Sequence, residues 1–315
     1  MKFMKILITG GCGYIGSVLT NKLLNNGYDV IVYDTQWFGN YLKKNKKLKI
    51  IKDDIRNIRK YNLKNIDTII HLANIANDPG VELNQTLSWE VNVLATQMLI
   101  EKAIKDKVKH FIFSSSGSVY GIKKEKKVTE DLELVPISAY NKTKMVAEKV
   151  IESYSHLIKT HIVRPATVCG VSPRMRLDVS VNMFTFQAIK NGQMTVFGGK
   201  QVRPNIHIND IVEVFYFFLK NPKLKSGSYN AGFENIKILD IAQKVKDVTN
   251  AKIIISKSND QRSYRQDSSK LIKNGFVKKY SVLDAIHEVK EWCKIKKNSN
   301  INKFFTVKWM KELGL

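Results

Sequence analysis

A glycine-rich turn directly after the first apolar run constrains the fold of this chain more than any other feature. The run at 6–8 leads into Thr9–Gly16, whose glycines have the spacing Gly10-x-x-Gly13-x-x-Gly16. This spacing allows a tight turn, close approach of a diphosphate to bare amides, and packing of the next helix on the strand. The helix N-terminus adds unpaired N–H groups and partial positive charge. The pattern predicts a dinucleotide-binding strand-turn-helix, or, as its structural alternative, an ordinary tight strand-to-helix turn.

The first half of the chain alternates short β-branched runs with amphipathic stretches, which is typical of βαβ units around a parallel sheet. The predicted strands are Lys5–Thr9, Asp29–Tyr33, Lys49–Ile51, Thr68–His71, His110–Ser114 and His161–Arg164. The predicted helices between them are Ile15–Asn26, Trp89–Asp106 and Tyr140–His156.

Beyond about residue 170 the alternation weakens, and helices are predicted near Asn182–Asn191, Asp210–Leu219, Leu239–Thr249 and Val282–Trp292. The sequence therefore predicts an α/β fold: a Rossmann-type doubly wound parallel sheet with a smaller mixed α/β substrate-binding domain. We expect the Rossmann domain to cover 1–170, with a segment around 200–232 returning to it. The substrate-binding region is expected at 171–199 and 233–315.

The net charge of +24, from 52 Lys+Arg and 28 Asp+Glu, first suggests a nucleic-acid partner. Only eight of these cations are arginine, and the lysine clusters at 43–47 and 123–127 lie in predicted loops. A nucleic-acid site is expected to concentrate arginine with aromatic residues. The charge therefore favours a solvated lysine-rich surface over specific nucleic-acid binding.

The three cysteines, Cys12, Cys169 and Cys293, are isolated, so they have neither metal-ligand spacing nor a disulfide pattern. The 43% hydrophobic content is globular, and no apolar run is long enough for a membrane span. The N-terminus lacks a signal-peptide core. We expect a cytoplasmic protein with no metal site and no membrane association.

Asp34 ends the second predicted strand, 18 residues after Gly16. A carboxylate at this place accepts hydrogen bonds from the adenosine ribose and repels a 2′-phosphate, so the sequence predicts NAD as the cofactor. Asp54 and Ile55 follow the third strand and are candidates to frame the adenine. The alternative for Asp54 is that it only caps the helix containing Arg56.

A second constellation follows the fifth predicted strand. Ser114–Gly121 contains Ser116, and Tyr140 and Lys144 lie four residues apart on one helical face. An adjacent ammonium favours the phenolate form of a tyrosine. Tyr140 is therefore predicted to take a hydroxyl proton, with Ser116 holding the substrate oxygen and Lys144 also binding the nicotinamide ribose.

Five features occur in this order along the chain: Thr9–Gly16, Asp34, 71–73 (His-Leu-Ala), Ser114–Gly121 and the Tyr140/Lys144 pair. Together they resemble the extended short-chain dehydrogenase/reductase family, in particular its NAD-dependent nucleotide-sugar epimerase/dehydratase group. The later segments 164–170 and 203–210 match further family blocks. The resemblance implies a homodimer built on helices 89–106 and 140–156. It also implies a cofactor site formed by Gly10, Gly13, Tyr14, Ile15, Gly16, Asp34, Asp54, Ile55, Leu72, Ala73, Asn74, Asn92, Ser114, Tyr140, Lys144 and Thr167.

The segment 172–178 followed by Asn182 resembles a subgroup that acts at C4 of nucleotide-activated sugars, which includes 4-epimerases and a GDP-heptose 4-dehydrogenase. By this resemblance Ser116, Asn182, Arg203 and Arg265 bind the substrate, the last three at its diphosphate. A guanidinium fork grips phosphate oxygens in a geometry that lysine cannot reproduce. For Arg174, Arg176 and Arg262 a structural ion pair is an equal alternative to a role in the site.

Members of the resembled family catalyse different reactions after the sugar hydroxyl has been oxidised. Family 4,6-dehydratases carry an Asp-Glu pair directly after the catalytic Ser/Thr, whereas this chain has Gly117 and Ser118, so dehydration is disfavoured. A 4-epimerase/oxidoreductase acting through a 4-keto sugar is favoured, with a 4-dehydrogenase or 4-ketoreductase that releases its product as the alternative. A non-catalytic NAD-sensing or nucleic-acid-binding Rossmann protein is disfavoured because the catalytic tyrosine is kept.

Overall fold

The computed structural model of the chain describes residues 4–257, 263–295 and 301–315. Its strands are β1 (Lys5–Thr9), β2 (Asp29–Asp34), β3 (Leu48–Lys52), β4 (Thr68–His71), β5 (His110–Ser114), β6 (Lys159–Pro165), β7 (Thr167–Cys169), β8 (Gln193–Phe197), β9 (Val202–His207), β10 (Gly227–Ala231), β11 (Glu234–Lys237) and β12 (Lys252–Ser256). Its α-helices are α1 (Tyr14–Asn25), α2 (Asp78–Leu83), α3 (Gln85–Trp89), α4 (Ala95–Lys105), α5 (Ala139–Ser153), α6 (Ser180–Asn191), α7 (Ile208–Lys220), α8 (Ile238–Thr249), α9 (Ser269–Lys273), α10 (Val282–Ile295) and α11 (Thr306–Glu312).

Seven parallel strands form the main sheet in the order β3-β2-β1-β4-β5-β6-β10. The central strands are buried almost throughout, as expected for a parallel sheet covered on both faces. One apolar core packs α1 and α7 on one face, and a second packs α4 and α5 on the other. The predicted Rossmann-type α/β fold is confirmed.

The reversal of strand order positions the site. Because β1 and β4 are neighbours and parallel, the chain leaves both at the same edge of the sheet, where α/β proteins bind their ligands. The glycine turn follows β1, Asp34 ends β2, Leu72 follows β4 and Ser114 ends β5. Residues far apart in the sequence therefore meet at this edge.

A smaller α/β region lies beside that edge. The strands β7, β9 and β11 form one sheet, β8 and β12 form a parallel pair, and α6, α8 and α10 share a third apolar core. The chain returns to the main sheet at β10, which pairs with β6, while β9 belongs to the smaller sheet. The domain boundaries themselves stay a prediction.

The helix predicted at 89–106 is interrupted. A π-helical turn at Glu90–Leu94 separates α3 from α4 and contains the buried Asn92. The Asn92 side chain accepts a hydrogen bond from the Ile75 N–H at 2.9 Å and donates to the Ile75 carbonyl at 3.2 Å. Such turns inside helices are frequent at functional sites, and this one anchors the loop after β4.

The last part of the chain crosses between the two regions. The Trp309 indole N–H donates to the Trp37 carbonyl at 2.7 Å, and the Leu177 N–H donates to the Phe304 carbonyl at 2.8 Å. Helix α11 also packs against α2. No helix within the described ranges has the length and apolarity that crossing a bilayer requires.

Candidate active site

A cleft of about 820 Å³ lies at the carboxyl edge of the main sheet and reaches the smaller region. The glycine turn lines one end, and Ser116, Tyr140 and Lys144 line its middle. Arg203, on β9, lines it from the smaller region. The structure thus brings the predicted cofactor turn, the predicted catalytic residues and one predicted substrate arginine into a single cavity.

At Gly10 and Gly16 the glycine turn leaves no space for a side chain. Gly10 has φ +74°, and a Cβ there would lie 2.6 Å from the Ala73 nitrogen. A Cβ on Gly16 would overlap the Gly10 carbonyl oxygen. Gly13 precedes α1 without a side-chain cap, so the first amides of this helix have no capping acceptor. Bare amides at a helix N-terminus fit a diphosphate.

Asp34 accepts hydrogen bonds from the Cys12 N–H at 2.9 Å and the Gln36 N–H at 2.6 Å, one on each carboxylate oxygen. Burial raises its pKa, and these two N–H groups oppose that shift. Each oxygen keeps a lone pair for a further donor. With the glycine turn, this arrangement fits the ribose and diphosphate of NAD.

A smaller cavity of about 120 Å³ adjoins Asp34 and is lined by Asp54, Ile55 and Phe38. The Asp54 side chain accepts from the Arg56 N–H at 2.9 Å, so it does cap its short helix, as the alternative interpretation expected. It lines the cavity as well. Leu72, Ala73 and Asn74 follow β4 and line the same cavity.

Tyr140 and Ser116 face the same cleft, and the Ser116 hydroxyl is close enough to lower the pKa of the phenol. The Ser116 and Ser118 hydroxyl oxygens lie 2.7 Å apart, and the Ser118 hydroxyl donates to the Asn141 side-chain oxygen at 2.6 Å. Tyr140 lies in the first turn of α5, and Ser116 follows β5. Both side chains are therefore held at the same edge of the sheet. This is the pair that a proton transfer to or from a sugar hydroxyl requires.

The electrostatics of the tyrosine differ from the sequence expectation. Burial raises the pKa of Tyr140 to about 12; the Ser116 hydroxyl and the charge of Arg176 lower it, while the charge of Asp78 raises it. The Lys144 ammonium instead donates to the Ser114 carbonyl at 2.7 Å, and burial lowers its pKa to about 7. Ser116 and Arg176, rather than Lys144, favour the phenolate in this arrangement.

Two asparagines predicted to contact ligands hold the backbone instead. Asn182 is buried; its oxygen accepts from the Gly170 N–H at 2.9 Å and its amide donates to the Arg176 carbonyl at 2.9 Å. Asn92 holds the backbone of Ile75. Neither lines the cleft, because the backbone groups of neighbouring loops occupy their amides. A direct ligand contact for either stays a prediction.

Some of the other predicted site residues line the cleft and others do not. Tyr14, Ile15, Ser114 and Thr167 line the cleft. The Arg265 side chain is exposed, and among the described residues that line the cleft Arg203 is present and Arg265 is not. The position of Arg265 after β12 gives its substrate role no support, so that role stays a prediction.

Sequence reasoning missed Asp178, Thr306 and Met310 in the cleft wall, and it left Arg176 between a site role and a structural ion pair. Arg262 lies outside the described residues. Arg176 lines the cleft while paired with Asp178 at 2.9 Å, and Asp178 also accepts from the Thr306 N–H at 3.1 Å. The scarcity of arginine in this chain was the available signal for Arg176. Thr306 and Met310, on α11, carry no motif, and only the folded chain brings them to the site.

Comparisons with known proteins agree with this geometry. The model of the NAD dependent epimerase/dehydratase family matches residues 6–232. A UDP-glucose 4-epimerase from Lactobacillus helveticus is 29% identical over 77% of this chain and 82% of its own. UDP-glucuronic acid decarboxylase 1 from Arabidopsis thaliana is 30% identical over 85% of this chain and 65% of its own.

Among solved structures, the UDP-glucuronic acid 4-epimerase from Bacillus cereus in complex with UDP-glucuronic acid and NAD is 29% identical, with a TM-score of 0.83. The match covers 93% of this chain and 99% of that one. The names of these similar proteins cover epimerisation and decarboxylation, so the comparisons show the family without fixing one reaction.

Proposed function

The chain belongs to the NAD-dependent epimerase/dehydratase family, and we propose that within it the protein is a 4-epimerase that oxidises and re-reduces C4 of a nucleotide-activated hexose or heptose. One observation carries the proposal: Ser116, Tyr140 and Lys144 line one cleft together with the glycine turn and Arg203. With a volume of about 820 Å³, that cleft is lined both by the glycine turn and by Arg203 of the smaller region.

In this proposal Tyr140 accepts the proton of the C4 hydroxyl and returns one when the 4-keto sugar is reduced. Ser116 holds the sugar oxygen beside the phenol. When bound, NAD supplies the acceptor for the hydride that leaves C4 and the donor for its return. The residues proposed to hold NAD are the glycine turn, Asp34 and Lys144; Arg203 is proposed to hold the substrate diphosphate, with Arg265 and Asn182 as the further expected contacts.

Dehydration is disfavoured by the two residues directly after Ser116. Gly117 has no side chain, and the Ser118 hydroxyl is committed to Asn141 at 2.6 Å. An elimination across C5 and C6 needs an acid and a base at this place. The carboxylate of Asp178, at the far wall, is ion-paired with Arg176.

The test is turnover of UDP-glucose and UDP-glucuronic acid by the full-length protein, with the products identified by NMR. We expect inversion at C4 with only a small bound-NADH absorbance. Stoichiometric release of NADH and ketone would replace this proposal with the 4-dehydrogenase, and a net consumption of NADH with the 4-ketoreductase. Loss of water from the sugar would contradict it outright.

Matched tyrosine variants test the mechanism. Tyr140→Phe is expected to lower kcat by about a thousandfold or more, since proton transfer is lost. Tyr154→Phe serves as the control, because Tyr154 lies just beyond the end of α5 and donates to Glu101. Equal activity of both variants would overturn the role of Tyr140.

We further propose a cytoplasmic homodimer formed through α4 and α5, with no specific nucleic-acid partner. The three cysteines are free thiols, as a reduced compartment permits. Elution at monomer mass at every concentration would contradict the dimer. Duplex DNA or RNA binding that survives high salt would contradict the interpretation of the charge, because non-specific binding weakens steeply with salt.

A further inference from the structure

Arg174 is a buried cation that forms no ion pair with a carboxylate in the described structure; Asp178 and Asp34 act on it only from a distance. Its side chain is 3% exposed, and its guanidinium carbon lies 4.0 Å from the centre of the Phe38 ring. Its hydrogen bonds are long: 3.4 Å to the Met175 carbonyl and 3.3 Å to the Thr306 hydroxyl. Its Nε atom is buried and has no partner.

Arg164 shows how this chain otherwise buries an arginine. It is also 3% exposed, but Glu148 accepts from its Nε at 3.0 Å and from its terminal nitrogen at 2.7 Å. Arg176, two residues after Arg174, has Asp178. A buried charge without a counter-ion is costly, so the bare guanidinium of Arg174 indicates that an anion from outside the chain completes it.

The position of Arg174 in the cleft identifies that anion. Arg174 lines the cleft together with Gly13 and Ile15 of the glycine turn. Its charge lowers the pKa of Asp34, the cofactor ribose residue, whereas the charge of Arg176 lowers the pKa of Tyr140. The Phe38 ring under the Arg174 guanidinium also lines the smaller cavity beside Asp34, so Arg174 lies where the cofactor is expected.

We propose that Arg174 binds the diphosphate of NAD, from the loop between β7 and α6, and shares it with the amides of the glycine turn. Thr306 at the start of α11 holds the guanidinium in place. The C-terminal segment thereby becomes part of the cofactor site. The inference rests on the cofactor that the family uses and is independent of the chemistry proposed at C4.

The test uses the NAD-stripped protein and Arg174→Met, which keeps the apolar packing on Phe38 and removes the charge. Calorimetric titration is carried out with NAD, ADP-ribose and adenosine, and thermal unfolding is measured without ligand. We expect the Kd of NAD and ADP-ribose to rise about tenfold or more, with adenosine changed less than about twofold. The ligand-free unfolding temperature is expected to stay equal or to rise, since an unpaired buried charge has been removed. Arg59→Met, at an exposed arginine, is the control.

Three results would overturn the proposal. Unchanged affinity for NAD and ADP-ribose would mean that Arg174 does not touch the diphosphate. A lower ligand-free unfolding temperature with loss of adenosine binding would make Arg174 a structural residue. Unchanged NAD affinity with weaker UDP binding to the NAD-loaded protein would assign Arg174 to the substrate diphosphate. If Arg174→Met does not fold, Arg174→Lys is compared in the same titrations, with a smaller selective loss for NAD and ADP-ribose expected because lysine keeps the charge without the fork.

Discussion

At the scale of single residues, the glycines of the turn have different duties although they belong to one motif. Gly16 packs α1 against the turn, and any Cβ there would overlap the Gly10 carbonyl oxygen. Gly13 has an ordinary φ of −75°, and a Cβ there would lie 3.1 Å from the Gly10 oxygen. Folding therefore depends on Gly16, whereas approach of a diphosphate depends on Gly13.

Alanine at each of these two glycines should separate the duties. Gly16→Ala is expected to lower the free energy of unfolding by about 2 kcal/mol or more, because backbone must move. Gly13→Ala should cost less than about 1 kcal/mol yet raise the Kd of NAD by about tenfold. Denaturant unfolding and NAD titration measure the two effects. Equal stability losses at both positions would contradict the division.

The serines after β5 are also expected to differ in how much they contribute to kcat. The Ser116 hydroxyl is close enough to lower the pKa of Tyr140, whereas Ser118 contacts Ser116 and Asn141. Removing a donor to the reacting oxygen typically costs about a hundredfold in rate. We expect this loss in kcat for Ser116→Ala, and a loss of about tenfold or less for Ser118→Ala, which only positions its neighbour. A Ser118→Ala loss as large as that of Ser116→Ala would assign Ser118 a direct role.

At the scale of elements, the sequence predicted the first six strands and most helices closely because their signals are local, whereas β7 to β12 were not predicted. The strand predicted at Thr68–His71 has those bounds, and the helix predicted at Val282–Trp292 runs over Val282–Ile295. The π turn at Glu90–Leu94 was not predicted, since its cause is a bond between Asn92 and the distant Ile75. The helical periodicity of the sequence cannot indicate a bond of this kind.

Helix α11 gives a prediction at this scale. Removing residues 306–315 deletes Thr306 and Met310 from the cleft wall and the Trp309 bond to Trp37. We expect a lower unfolding temperature and a rise of about tenfold in the Kd of NAD, because the removed bonds and contacts order the cofactor loop. Fluorescence titration and thermal unfolding report both. Lys311→Gln, an exposed change on the same helix, should alter neither. Wild-type NAD affinity in the truncated protein would contradict this role.

At the scale of the whole molecule, buried histidines link stability to pH. His110 Nε2 and His161 Nδ1 lie 2.8 Å apart between β5 and β6, and His71 lies between the Thr9 and Thr96 hydroxyls. Burial lowers the pKa of all three, to about 3, 4 and 3 for His110, His161 and His71. The unfolded chain therefore binds more protons than the folded chain once the pH falls below about 6.5.

The resulting stability is complete above about pH 6.5 and is lost as the pH falls towards the folded-state values. We expect the unfolding temperature to be level between about pH 8 and 7 and to drop clearly by about pH 5, before most carboxylates titrate. His110→Gln should reduce this slope. His156→Gln, at an exposed histidine, should not. A level profile down to about pH 5 would show that these histidines do not control stability.

The sequence by itself determined the fold class, and it predicted the cofactor turn with Asp34 and the Ser116, Tyr140 and Lys144 set. These signals are carried by spacing within one turn, one strand or one helix, so they survive without knowledge of the fold. The functions of single polar residues could not be predicted from local spacing. An asparagine or arginine has the same chemistry whether it binds a ligand or a neighbouring loop.

Only the tertiary structure decided which contacts each of these residues makes within the chain. It closed the amides of Asn92 and Asn182 on backbone groups, left the guanidinium of Arg174 without a counter-ion in the cofactor end of the cleft, and brought Thr306 to that guanidinium. The physical reason is that these contacts join residues that are not local neighbours: they are 12 positions apart for Asn182 and Gly170, 17 for Asn92 and Ile75, and 132 for Arg174 and Thr306. Their partners are set by packing of the two regions and not by any local pattern.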